Sequence, residues 1–257
     1  MTARRSLPVA PRSRAAASPF WRDPEFIGRA VHLLKNHATA LRSASHLLLE
    51  AGPKVDEAAR ERWRATLRDS GARLVRLLDQ LAQLAEGRDG VPVATADVPL
   101  AAWLIEQVRA ARATERTSRV RLTVTRAPAG AWRLPAGPAA LALGALLRNA
   151  LLHPPGGTRA TVSANPRPGG LIFTVRDHGT GIPADEQRSL FTPFFRGEAA
   201  RERPGAGLEL ALARAAIARA GGRMSHHPVA PRGARFEIYI PASRTRKKRV
   251  RRHFPAR

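Results

Sequence analysis

The sequence predicts an α+β chain in two parts, a helical hairpin followed by an α/β-layered domain. Three observations carry this. Two long stretches repeat apolar residues at steps of three and four, separated by a short break at Gly52 and Pro53. The second half mixes short alternating runs with helical ones, which is the pattern of helices laid on one face of a mixed sheet. The clearest alternating run, Leu171, Phe173 and Val175, leads into Asp177, Gly179, Gly181 and Pro183, so a carboxylate stands where a strand gives way to a glycine turn.

From Glu25 to Glu50, the residues Ile27, Val31, Leu34, Ala38, Leu41 and Leu48, with Ser45 in one slot, step as a helix with a coiled-coil-like seam. A second helix from Asp56 to Glu86 repeats the pattern with Trp63, Leu67, Ser70, Leu74, Leu77 or Leu78, Leu81 and Leu84. A short turn between two long helices makes an antiparallel hairpin. Further apolar residues, Leu33, Leu47 and Leu49, lie off the seam of the first helix, and one hairpin cannot cover them all. Two copies are therefore expected to pair into a four-helix bundle, and the protein to be a homodimer.

After a Gly- and Pro-bearing linker over 87–97, Pro99 to Thr114 reads as an amphipathic helix and Val120 to Thr125 as a strand. Leu141 to Leu152 reads as a helix. Strands are expected at 160–164, 171–176 and 235–240, with a helix from Gly207 to Ala220 closed by Gly221 and Gly222. The organisation expected is a basic tail over 1–24, the hairpin over 25–87, the layered domain over 96–243 and a second basic tail over 244–257.

Composition narrows the functional classes. The formal charge is +24, of which the first 22 residues carry +5 and the last fourteen +8, leaving +11 on the middle. Both tails read as disordered. The run Arg244 to Arg252 has no interleaved aromatics and no recognisable nucleic-acid module, so it reads as a solvated tail and nucleic acid is not an expected partner. There is no cysteine, which excludes disulfides and thiolate metal sites and fits a cytoplasmic location. No apolar run reaches the length of a membrane span; the nearest, Leu134 to Leu147, is broken by Pro135, Gly137, Pro138 and Gly144. The first 19 residues lack the apolar stretch of a signal peptide.

The turn after Asp177 has the outline of a purine site. Two missing side chains let a flat ligand approach the backbone, and an ionised carboxylate accepts a hydrogen bond from an exocyclic amine. Asp and Gly are equally at home in an ordinary turn, so the motif needs its context. That context is LLRNALLHPP at 146–155, LFTPFFRG at 190–197, PGAGLEL at 204–210 and GARFEIYIP at 233–241. In this order and at these separations the segments resemble the N, G1, F and G2 boxes and the closing strand of the ATP-binding domain of sensor histidine kinases. That domain has the Bergerat-type fold shared with gyrase, mismatch-repair and heat-shock chaperone ATPases. The segment VHLLKNHATALRSASHLLLE, from Val31, resembles the phosphoacceptor helix of the same family, in the register that gives His32 the place of the phosphorylated histidine. A solvent-facing histidine there has a ring nitrogen free to attack a phosphoryl group. His46 shares its heptad position but lies close to the Gly52 turn, and His37 stands where the family usually has proline.

The resemblance implies ATP and Mg²⁺ as ligands. It gives Asn149 the coordination of Mg²⁺ beside the triphosphate, and Asp177 the hydrogen bond to adenine. Gly179 and Gly181 would permit close approach. Phe191, Phe194 and Phe195 would form the box that packs against a lid over 196–204. Gly205 and Gly207 would open a helix whose amides meet phosphate. The chain departs from the family at four places. Leu33 replaces the acidic residue after the phosphoacceptor, Ala145 a polar residue, and Leu152 a lysine. Glu209 replaces a glycine near the phosphates, where a carboxylate repels a triphosphate unless it points away. The function implied is ATP-dependent autophosphorylation of His32 with transfer to a response-regulator receiver aspartate. The alternative is a degenerate relative without ATP hydrolysis that relays phosphoryl groups or scaffolds receiver domains.

Overall fold

The computed structural model describes residues 23–52, 55–85, 93–114, 120–152, 159–200, 205–230 and 232–245. The basic tails up to residue 22 and beyond 245, most of the linker and the end of the expected lid lie outside them.

Helix α1 (Pro24–Glu50) is opened by Asp23, whose Oδ1 accepts from the Glu25 N–H at 3.0 Å, with Pro24 in the first turn. Helix α2 (Glu57–Ala85) follows, and between the two helices the Val55 N–H donates to the Gly52 carbonyl at 3.1 Å. Arg60 reaches back from α2 and donates to the carbonyls of Gly52 at 2.9 Å and Ala51 at 3.4 Å, the second being the C-cap acceptor that the end of α1 leaves open. On α2 the expected stripe faces inward: Ser70 and Leu77 are buried, and Trp63, Leu67, Leu74 and Leu81 half-buried. The stripe of α1 differs in its first half. Ile27, Val31 and Ala38 are exposed, while Ala30 is buried and Phe26, Leu33 and His37 are half-buried. The reason lies in the second domain. Phe26, Leu33 and Leu34 pack with Leu77, Leu208, Leu212 and Phe194 in a small apolar cluster between hairpin and layered domain, and this pulls the buried face of α1 round.

The layered domain is built on a five-stranded mixed sheet in the order β2 (Arg121–Arg126), β4 (Arg159–Arg167), β5 (Gly170–Asp177), β7 (Ala234–Pro241), β6 (Arg223–Pro228). β2 runs parallel to β4 and every other neighbour is antiparallel. Leu171, Phe173 and Val175 alternate with half-exposed residues, so one face is apolar; Phe236, Ile238 and Ile240 of β7 continue it. Helices α3 (Leu100–Thr114), α4 (Ala136–Leu152) and α5 (Glu209–Arg219) cover that face, with Leu104, Leu143, Leu147 and Ile217 fully buried against it. A second sheet of three short strands joins β1 (Ala96–Pro99), β3 (Ala131–Leu134) and β8 (Ser243–Arg244). Asp97 fastens it, accepting two bonds from Arg133 at 3.0 Å and one from Thr245 at 2.9 Å. Those bonds hold the Asp97 carboxyl below its ordinary pKa. The α+β architecture, hairpin first and helices over one face of a mixed sheet, is the one expected.

Two bounds move. Helix α4 begins at Ala136, five residues early, because its Gly137 and Pro138 fall in the first turn, where proline is tolerated. Helix α5 begins at Glu209 and not at Gly207: Gly205 and Gly207 have φ of +156° and +69°, outside the helical region, and form the loop that leads in.

Candidate functional site

Asp177 closes β5, opposite Ala160 of β4. Its Oδ1 accepts from the N–H of Gly179 at 2.9 Å, turning the chain back on itself, and from the N–H of Ala234 at 3.1 Å, reaching the start of β7. Both bonds use the same oxygen. No hydrogen bond within the described residues reaches Oδ2, and the residue is half-buried. The carboxylate is thus held rigidly by one oxygen and presents the other.

Glycines make this arrangement possible. Gly233 has φ +116°, and a Cβ there would stand 2.3 Å from the Asp177 carbonyl oxygen. Gly181, at φ +81°, lies against Gly233, its own Cβ position 3.4 Å from that residue's N and O. Two backbones without side chains therefore meet beside the carboxylate. Gly179 contributes its N–H. On the apolar face nearby, the His226 ring lies 5.0 Å from Phe236, and Phe191 stacks edge-on against Phe236 at 6.5 Å. Arg214 of α5 caps Phe191 at 5.1 Å.

Asn149 is on α4, half-exposed between the half-exposed Arg148 and the buried Ala150, and its side chain makes no hydrogen bond within the described residues. The residue before it, Arg148, reaches α5 and donates to Glu209 Oε2 from Nε at 3.2 Å and from the terminal guanidinium at 3.0 Å. Ala145, where a polar residue was awaited, is 2% exposed and belongs to the main core. The side chain of Leu152 lies outside the described residues.

The phenylalanine box runs through consecutive turns from Pro183 to Phe195. Phe194 takes φ +62°, a left-handed conformation unusual for a bulky residue, and its N–H donates to the Gly207 carbonyl at 3.0 Å. Its ring lies 5.0 Å from that of Phe26 on α1. A Cβ at Gly207 would fall 2.6 Å from the Phe195 carbonyl oxygen. Gly207 is thus required by the approach of the box backbone, and Phe195, half-buried, supplies that backbone. Gly205 has nothing within 4 Å of its Cβ position. Of the expected lid, residues 196–200 are described; they end in a short 3-10 turn (Glu198–Ala200) whose first N–H donates to Glu186 Oε1 at 2.8 Å.

His32 is exposed on α1, with Nε2 3.2 Å from the Asn36 side-chain nitrogen. It makes no hydrogen bond to Asp177 or Asn149. His46 pairs with Glu50 at 3.2 Å, and His37 is half-buried. Leu33, in place of an acid, packs in the cluster with Phe194 and Leu208. The structure therefore gathers Asp177, Gly179 and Gly181 at one turn, with Gly207 and Phe195 at another, while His32 stands on the docked hairpin. Sequence reasoning passed over Gly233, Arg148 and Phe26. The glycine ahead of a predicted strand was the one signal available for the first.

The fit to a nucleotide rests on the free Asp177 oxygen and the paired glycine backbones, which suit a planar base with an exocyclic amine. Among the described residues no three His, Cys, Asp or Glu gather to hold a metal ion. A cation would thus rely on Asn149 and on the oxygens of the ligand it accompanies.

This combination defines a class, a strand-end carboxylate over a glycine turn on a mixed sheet beneath three helices, and the comparisons agree with it. Residues 138–244 match the model of the histidine kinase-, DNA gyrase B- and HSP90-like ATPase family. Those residues carry a domain of that ATPase family, and with the hairpin in front of it the chain resembles the core of a sensor histidine kinase. It is 28% identical over 222 residues to the sensor-like histidine kinase SenX3 of Mycolicibacterium smegmatis, covering 84% of this chain and 57% of that one. It is likewise 28% identical over 240 residues to the signal transduction histidine-protein kinase/phosphatase MprB of Mycolicibacterium paratuberculosis, over 89% and 45%. The chain spans about half the length of these curated relatives. The solved structure of the histidine kinase AdeS from Acinetobacter baumannii superposes with a TM-score of 0.63 over 82% of this chain and 97% of that one; at 18% identity it supports the fold alone.

Proposed function

We propose that the chain is the catalytic core of a two-component histidine kinase that phosphorylates itself on His32 with ATP and passes the phosphoryl group to an aspartate of a receiver domain. The observation that carries this is the Asp177 carboxylate, fixed through one oxygen and open at the other, in an ATPase-family domain docked on a hairpin that exposes a histidine. The hairpin over 25–87 is assigned to dimerisation and phosphotransfer and 96–243 to nucleotide binding, working in the cytoplasm. No helix among the described residues is long and apolar enough to cross a membrane.

Asp177 Oδ2 would accept from the adenine amine, and the Gly179, Gly181 and Gly233 backbone would lie along the ring. Asn149 would hold Mg²⁺ through its amide oxygen, and the ion would offset charge on the phosphates. His32 then supplies the nucleophile. A bond forms between a ring nitrogen and the γ-phosphorus as the bond to the ADP oxygen breaks, and the nitrogen's proton, if carried, leaves to solvent. Without an acid at position 33 no carboxylate orients the ring from that side. Asn36, 3.2 Å away, is the neighbour left to do so. The non-catalytic alternative finds no support in the comparisons.

Calorimetric titration with ATP and ADP, with and without Mg²⁺, tests the reading. The expected result is binding near micromolar, tightened by Mg²⁺ and lost in Asp177→Asn. Equal binding by Asp177→Asn would contradict it.

A further inference from the structure

Glu209 is the departure that most threatens nucleotide binding, and the structure shows what becomes of its charge. Its carboxylate receives two hydrogen bonds from the Arg148 guanidinium, at 3.0 and 3.2 Å, both on Oε2. The side chains are 29% exposed for Arg148 and 50% for Glu209, so the pair is partly shielded. Room for it is provided one turn earlier on α4: a Cβ at Gly144 would stand 3.1 Å from an Arg148 guanidinium nitrogen, and glycine has none. The pair lines a cleft of about 230 Å³ between α2 and the layered domain, together with Arg76, Asp79, Ala145 and Leu212.

Its place in the chain gives it meaning. Arg148 immediately precedes Asn149, and Glu209 follows the Gly205 to Leu208 loop, so the ion pair bridges the two segments assigned to the phosphate end. We infer that Arg148 is a positioning residue that cancels the Glu209 charge and clips the start of α5 to α4, leaving the phosphate end electrically open to a triphosphate. This rests on the ATP reading above. Two opposite charges a few Å apart sum to nothing at longer range, whereas a lone carboxylate acts on every phosphate within a Debye length of about 10 Å. Arg148 thereby makes Glu209 tolerable at a position where the resemblance implies glycine.

The test is calorimetry on the full chain with two probes, ATP and adenosine. In Arg148→Ala, Glu209 is left unpaired; the Kd for ATP is expected to rise by at least about tenfold and that for adenosine by less than about twofold. The double variant Arg148→Ala/Glu209→Gln removes the lone charge and is expected to return ATP binding to within about threefold of the parent. Glu209→Gln alone frees Arg148 and should bind ATP at least as tightly as the parent, which keeps the idea testable if Arg148→Ala does not fold. Unchanged ATP affinity in Arg148→Ala, equal losses for ATP and adenosine, no recovery in the double variant, or weaker ATP binding by Glu209→Gln would each overturn it. A parent chain that binds neither probe overturns the nucleotide reading, and this inference with it.

Discussion

His226 buries an imidazole nitrogen, Nε2, that finds no hydrogen-bond partner among the described residues, with its ring against Phe236. Burial lowers its pKa from the ordinary 6.5, the neighbouring His227 acts in the same sense, and the Asp177 carboxylate opposes them. The folded protein therefore binds this proton less readily than the unfolded chain. The stability that follows is complete above about pH 6.5 and is lost as pH falls through the lowered value. Thermal unfolding is expected to drop by on the order of a few degrees between pH 7 and pH 5, and by less in His226→Leu; an equal drop in both would contradict the assignment. Other residues differ in how far their roles could be read from the sequence. Asp177 was legible because a carboxylate after alternating apolar residues and before two glycines is a local pattern. Gly233 was not, since its need arises from the Asp177 carbonyl, 56 positions away in sequence. Arg148 was equally hidden, because its partner is on another helix.

At the scale of elements, the hairpin leaves Ile27, Val31, Leu47, Leu49, Val75 and Leu78 exposed. Large apolar side chains left in water on two adjoining helices are costly, and a second hairpin is the occupant expected from the sequence. Val31→Asp/Leu78→Asp should convert a dimer to a monomer in sedimentation while keeping its helical circular dichroism; a parent chain that sediments as a monomer would refute the dimer. The five α-helices of the described residues were all legible, the first three by a periodic stripe. The strands β1, β3, β6 and β8 were not. β1 and β3 have four residues and β8 two, too short for a period. β6 reads RMSHHP, with Met224 its one buried residue at a sheet edge. Pairing with β7, which no window of β6 contains, makes it a strand.

Over the whole molecule, the two parts meet where the family resemblance is weakest in its chemistry. Leu33, Phe26 and Phe194 join the hairpin to the phenylalanine box, and Leu208 and Leu212 join it to α5. The substitution that removes an acid beside His32 thus adds an apolar contact between the parts, and the left-handed Phe194 directs its ring to that contact. His32 lies one residue from this junction, exposed, on the helix that the box grips. Sequence alone separated the two parts and could not show that they dock here, because each half of the cluster looks like ordinary helix or loop apolarity.

The measurement that bears most directly on the account is incubation of the purified chain with γ-labelled ATP and Mg²⁺, followed by mapping of the labelled residue. The account predicts an acid-labile, alkali-stable phosphoryl group on His32, absent from His32→Ala and from Asp177→Asn. Label that persists in His32→Ala, or none in the parent chain at ATP concentrations that saturate binding, would contradict it.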